Sequence, residues 1–181
     1  ELVNLSETCI LDLNRTPLQD SSLRHLKQQT GLICLLLNAT PISDAGLAHL
    51  TTCANLQILW LKETQITDAG IQHLTVLANL EQLDLDATSI TDAGVQRLTA
   101  LKKLKSLKLS STGITDPGLI ALSAFPHLEE LNLESTNVTD AGLAQLKTLR
   151  HLKVLRLHDT HVTDGGVDEL RRALPGCEFE Y

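Results

Sequence analysis

Leucines recur along the chain in pairs separated by one residue: Leu11 and Leu13, Leu35 and Leu37, Leu59 and Leu61, Leu83 and Leu85, Leu107 and Leu109, Leu131 and Leu133, Leu155 and Leu157. Every step between pairs is 24 residues. This alternation has the period of a strand with one buried face, whereas the run Ile71, Leu74 and Leu77 that follows one pair is spaced for one side of a helix. Each unit therefore predicts one strand and one helix. One step beyond the last pair stand Phe179 and Tyr181, and half a step before the first stand Leu2 and Leu5, equivalent to Leu74 and Leu77. A unit of this size cannot bury its apolar face alone, so neighbouring units must stack, pairing their strands in parallel about 4.8 Å apart.

Polar residues recur with the same period. A Thr follows each pair (Thr16, Thr40, Thr64, Thr88, Thr112, Thr136, Thr160), then an aliphatic residue, then an Asp at 20, 44, 68, 92, 116, 140 and 164. The phrase Thr-Asp-Ala-Gly stands unaltered at Thr67, Thr91 and Thr139. A row of carboxylates invites a calcium or catalytic reading. In one unit, however, the phrase becomes Asp116-Pro117-Gly118, and Pro favours the first helical position, which makes Asp116 a helix N-cap. Thr67 and its equivalents are the alternative caps. The first Thr column is expected to link one turn to the next through its hydroxyl, and Gly70 and its equivalents to allow close backbone approach between units.

The unit L-x-x-L-x-L-x-x-T-x-[ILV]-[ST]-D-x-G-[LIV]-x-x-L-x-x-L-x-x resembles a leucine-rich repeat, with Thr where many members place Asn or Cys. The resemblance covers the whole chain. It implies a right-handed α/β solenoid, curved, with a parallel sheet on the concave face and helices on the convex face. The T-D-x-G-L phrasing is similar to that of bacterial, notably planctomycete, repeat proteins and of the substrate-receptor halves of F-box adaptors. No F-box is present, and Thr replaces the Cys that names the adaptor subtype. Residues 1–181 read as a single domain of about seven repeats plus a terminal strand. Because Glu1 falls inside a helix equivalent, the chain is expected to be a piece of a longer one.

Lys and Arg number 15 against 22 Asp and Glu, a formal charge of −7, which argues against the basic footprint of a nucleic-acid binder. No stretch is long and apolar enough to insert in a membrane. Of the Cys residues, Cys53 takes a slot that Leu77 and Leu101 fill elsewhere, and Cys9 and Cys34 lie on adjacent strands one position out of phase. Free thiols lean towards a reducing, cytoplasmic setting.

In such an array the repeated positions make the fold, so a partner should be read by the variable residues that alternate with the Leu pairs. An apolar group, Ile10, Cys34, Leu36, Ile58 and Trp60, includes the only Trp. Exposed apolar surface with Trp at its centre marks a binding hot spot. A second group mixes Lys62, Asp84, Asp86, Lys108, Glu130, Glu134, Arg156 and His158, suited to a polar, partly basic protein surface. The columns His25, His49, His73 and His127, His151 are expected to stand about 8–10 Å apart, too far to share an ion. His158 and His161 bring no third ligand with them, so no metal or cofactor is expected. No nucleophile elbow, phosphate loop or His-Glu-x-x-His occurs.

The reading is a non-enzymatic module that binds a protein partner on its concave sheet, anchored near Trp60. The alternative is an accessory or spacer domain of a larger enzyme or envelope protein with no ligand of its own. End-to-end self-association through the N-terminal repeat is expected, since that edge lacks the charge that Glu178 and Glu180 bring to the other.

Overall fold

A computed structural model describes residues 9–181. The half-repeat expected around Leu2 and Leu5 lies outside the described residues. Eight strands form one parallel sheet in sequence order: β1 (Cys9–Asp12), β2 (Leu32–Leu36), β3 (Ile58–Trp60), β4 (Gln82–Asp84), β5 (Ser106–Lys108), β6 (Glu130–Asn132), β7 (Val154–Arg156) and β8 (Glu178–Glu180). The register is that of the repeat, Leu35 facing Leu59, Leu59 facing Leu83, and so on to Leu155 facing Phe179. One irregularity, between Cys9 and Ile10, shifts the first pairing. The α/β leucine-rich-repeat solenoid implied by the resemblance is therefore the fold.

The second half of each unit is less regular than the spacing suggests. Two full α-helices, α3 (Asp92–Leu98) and α4 (Asp116–Leu122), lie mid-array, and α6 (Asp164–Ala173) follows the last Thr-Asp phrase. Elsewhere α1 (Asp44–Leu47), α2 (Asp68–Ile71) and α5 (Asp140–Leu143) are single turns, two of them continued as 3-10 helix (Ala48–Leu50, Ala144–Thr148). The first unit has only a 3-10 helix, Asp20–Gln28. Each unit still carries one helical segment after its strand, as expected, and only its length and type vary. Inward spacing survives either geometry, because Leu74, Leu77, Leu98 and Leu101 are all fully buried between sheet and outer layer.

Two recurrent devices hold the turns. Directly before each first-column Thr stands a residue other than Gly in the left-handed region, with φ between 53° and 58°, at Arg15, Ala39, Glu63, Ala87, Ser111, Ser135 and Asp159. A left-handed L-residue costs about 1–2 kcal/mol, and the Thr that follows offsets it. Thr64 donates its hydroxyl to the Leu61 carbonyl at 2.6 Å, and Thr16, Thr40, Thr88, Thr112, Thr136 and Thr160 repeat the bond within their own units. The expected link between neighbouring turns is thus corrected: the hydroxyl closes its own turn. Neighbouring turns are joined by backbone instead, as Gln65 N–H donating to Ile42 and Ser89 N–H to Ile66.

The second device settles the Asp column. Ser43, Thr67, Thr91, Thr115, Thr139 and Thr163 are the N-caps, and the Asp is the first helical residue, so Asp116 is not the cap. The carboxylates from Asp20 to Asp140 turn instead to the next unit. Asp44 accepts from the Thr67 backbone N–H at 2.8 Å and the Thr67 hydroxyl at 2.6 Å, and the pairs Asp20–Ser43, Asp68–Thr91, Asp92–Thr115, Asp116–Thr139 and Asp140–Thr163 repeat the arrangement. Cap hydroxyl and cap N–H are thereby fixed by an ion from the preceding unit, two charge-assisted bonds per joint. Gly70 and its equivalents make room for that ion: a Cβ on Gly70 would run into Oδ1 of Asp44 and lie 2.9 Å from its Cγ. The close approach expected at this Gly exists, but a side chain makes it rather than backbone.

Candidate concave interface

Parity along the strands places the expected partner-facing residues on the inner sheet surface, yet exposure there is uneven. In the apolar group Ile10 is 69% exposed, Leu36, Ile58 and Trp60 are half-buried, and Cys34 is 5% exposed. Cys34 stands in register between Ile10 and Ile58, whose larger side chains overtop the small thiol, so its expected exposure is corrected. Burial first, and the Asp12 charge second, push the Cys34 thiol up. Among the described residues all Cys are free, and burial holds Cys177 up at about 11.

The polar group shows a larger departure. Asp84 and Asp86 were expected to face solvent but are buried. The reason lies in the backbone just past each strand, whose N–H groups need acceptors. Short acceptors bend back to meet them in two ways. Asp84, Asp12 and Asn132 accept from the N–H two residues on, in Asp86, Asn14 and Glu134. Asn14, Asn38 and Asp86 accept from the next unit, at Asn38, Lys62 and Ser110. Alternation fixes which side a residue faces, but a carboxylate short enough to reach the main chain is drawn into it.

The remaining residues do reach the surface. Lys108 Nζ stands 5.5 Å above the Trp60 ring and 3.7 Å from Asp84, joining ring, cation and carboxylate into one cluster across β3, β4 and β5. Lys62 is exposed beside Glu63 at 3.8 Å. Glu130 accepts from the Ser106 hydroxyl at 3.1 Å, and Arg156 pairs with Glu180 at 3.0 Å. Burial, and secondarily the Asp84 charge, push Asp86 up to about 6, against the Ser110 N–H and the two Lys side chains that pull it down.

Two features were not anticipated from sequence. His158, expected without companions, lies with Glu134 and Glu180, their ligand atoms mutually within 4.8 Å. The signal was present as a 24-residue offset from Glu134 to His158, but Glu180 belongs to the neighbouring column, in register with Arg156 and two residues out of step. The rings of His127 and His151 are 6.5 Å apart, closer than helix spacing implies, because both lie in turns after the helices rather than on them. On the outer side Ile120 is 59% exposed, lining a groove of about 650 Å³ with Asp92, Gln96, Lys102 and Pro117. At the N-terminal end, Leu11, Leu13 and Leu18 are half-buried around a cavity of about 220 Å³.

A leucine-rich-repeat family model matches residues 100–123, 126–146 and 148–170. No curated protein matches the chain. Among solved structures the chain is similar to internalin C2 from Listeria monocytogenes, with 25% identity over 94% of this chain and 69% of that one, at a TM-score of 0.77. It is also similar in fold to a leucine-rich-repeat protein from Leptospira interrogans, with 18% identity over 87% of this chain and 51% of that one, at a TM-score of 0.60. No helix among the described residues is long and apolar enough to cross a membrane.

Proposed function

Since the chain is a leucine-rich-repeat protein, we propose that it is a single-domain, non-enzymatic module that holds a protein partner across its concave sheet. Proteins of this fold are generally protein–protein interaction modules and typically not enzymes. The observation that carries the reading is the Trp60 cluster. A half-buried Trp flanked by Leu36 and Ile58, with Lys108 over its ring, offers a flat apolar anchor beside a cation, the composition of a hot spot. Lys62, Glu130, Glu134, Arg156 and His158 form the polar remainder of the surface. Asp84 and Asp86 act through it, Asp84 by holding Lys108 and Asp86 by holding the turn at Ser110.

A partner captured by the wild-type chain should be lost on Trp60→Ala with Ile58→Ser, weakened about 30-fold or more as truncation of a hot-spot Trp implies. Circular dichroism checks that the variant folds. Trp60 is the only Trp, so its fluorescence should shift as the same partner is titrated in. Equal capture by both chains, or none by either, would move the assignment to the accessory or spacer role. The N-terminal edge supports a second association, end to end, because Ile10 is exposed and Leu11, Leu13 and Leu18 are incompletely covered. Light scattering should show dimers growing with concentration, and a strict monomer at high concentration removes that association.

A further inference from the structure

We infer that Glu134, His158 and Glu180 form a binding site for a divalent transition cation of the zinc class at the C-terminal end of the concave face. The three residues come from successive units, and one carboxylate oxygen from each Glu and one His158 nitrogen lie mutually within 4.8 Å. Ligands on a common zinc ion at about 2.0–2.2 Å stand about 3.4 Å apart in tetrahedral geometry. Small rotations of Glu134 and of the exposed His158 ring close that difference. Three protein ligands leave a fourth position for water or for a group from a partner. Imidazole in the set favours zinc, nickel or copper over the hard cations calcium and magnesium.

Comparison with the same column in earlier units separates this group from a structural one. Asn38 and Asp86 use their side-chain oxygens on the next unit's backbone N–H, at 2.9 and 2.7 Å. Glu134, one methylene longer than Asp86, makes no such bond among the described residues; its Oε2 meets only the Asn132 amide, at 3.4 Å. The His158 ring makes no hydrogen bond among the described residues and is exposed. Glu180 accepts from Arg156 Nε at 3.0 Å, which leaves its other oxygen available and fixes its orientation. Asn132 and Arg156 are thus the positioning residues behind two ligands.

Calorimetric titration of the whole chain with Zn²⁺ alone tests the assignment, and the test does not depend on any partner. The wild-type chain should bind one equivalent. His158→Ala and Glu134→Gln should each weaken that binding about tenfold or more, while His151→Ala, which breaks up the separate His127–His151 ring pair, should leave it unchanged. His158 is exposed and Glu134 is half-buried with one weak contact to Asn132, so their thermal melts should match the wild type without metal, and Glu180→Gln supplies a third variant should either fail to fold. Absence of saturable binding to the wild-type chain, or loss that follows His151 instead of His158, would overturn the site.

Discussion

Gly70→Ala should destabilise the chain by about 2–4 kcal/mol, although in most helices the same change stabilises by about 1 kcal/mol. The added methyl group and Oδ1 of Asp44 cannot occupy the same space, and Asp44 Cγ would lie 2.9 Å away. Relief requires the carboxylate to leave, and with it go the bonds to the Thr67 N–H and hydroxyl at 2.8 and 2.6 Å. Bonds of this kind contribute about 1.5–3 kcal/mol each, and the displaced ion recovers part of the loss in water. Urea denaturation of four chains decides the mechanism: wild type, Gly70→Ala, Asp44→Ala and the double variant. With Asp44 already removed, Gly70→Ala should cost little, giving a coupling of about 2 kcal/mol or more. Simple additivity would mean that the Gly serves something other than the carboxylate.

Asp86→Asn should have the opposite sign. Burial, and secondarily the Asp84 charge, push the Asp86 carboxyl from its ordinary value of 3.8 up to about 6 in the folded chain, so ionisation is disfavoured by folding. Between these values the folded state binds the proton that the unfolded state has released. This contribution to stability is therefore fully present below about pH 4 and is lost as pH rises through 6. Discounted for solvent screening, the shift corresponds to about 1–2 kcal/mol at neutral pH. Asn keeps the oxygen that accepts from Ser110 N–H and removes the charge beside Asp84. The variant should be more stable than wild type at pH 7.5 by up to that amount, and the two should converge near pH 4. Denaturation at the two pH values measures this, and equal differences at both would remove the buried charge as the cause.

The fold was legible because its cause is periodic. A strand period and a helix spacing alternating every 24 residues leave few ways to bury Leu59, Leu61, Leu74 and Leu77 together. The scaffold role of the Thr-Asp phrase was legible for the same reason, but its wiring was not. Adjacency in Thr67-Asp68 suggests that the two residues serve one helix start, whereas Asp68 serves Thr91, in the next unit. Sequence shows which residue types recur and leaves open which copy answers which. The concave surface was legible by parity and misleading by exposure. Asp84 and Asp86 occupy outward positions, yet their length matches the distance to an unpaired N–H, while the longer Glu134 and the bulkier Trp60 cannot fold back in the same way.

The Asp-to-Thr joint also bears on how such a chain can change over generations. Each inner unit carries one carboxylate directed forward and one cap directed backward, with the Gly that admits the neighbour's ion. A duplication or deletion of one whole 24-residue unit therefore leaves every donor matched to an acceptor at the new boundary. A slip of one or two residues breaks both boundaries at once. Copy number can drift while the period stays fixed, and the width of the recognition surface can be tuned by genetic recombination without redesign of any joint.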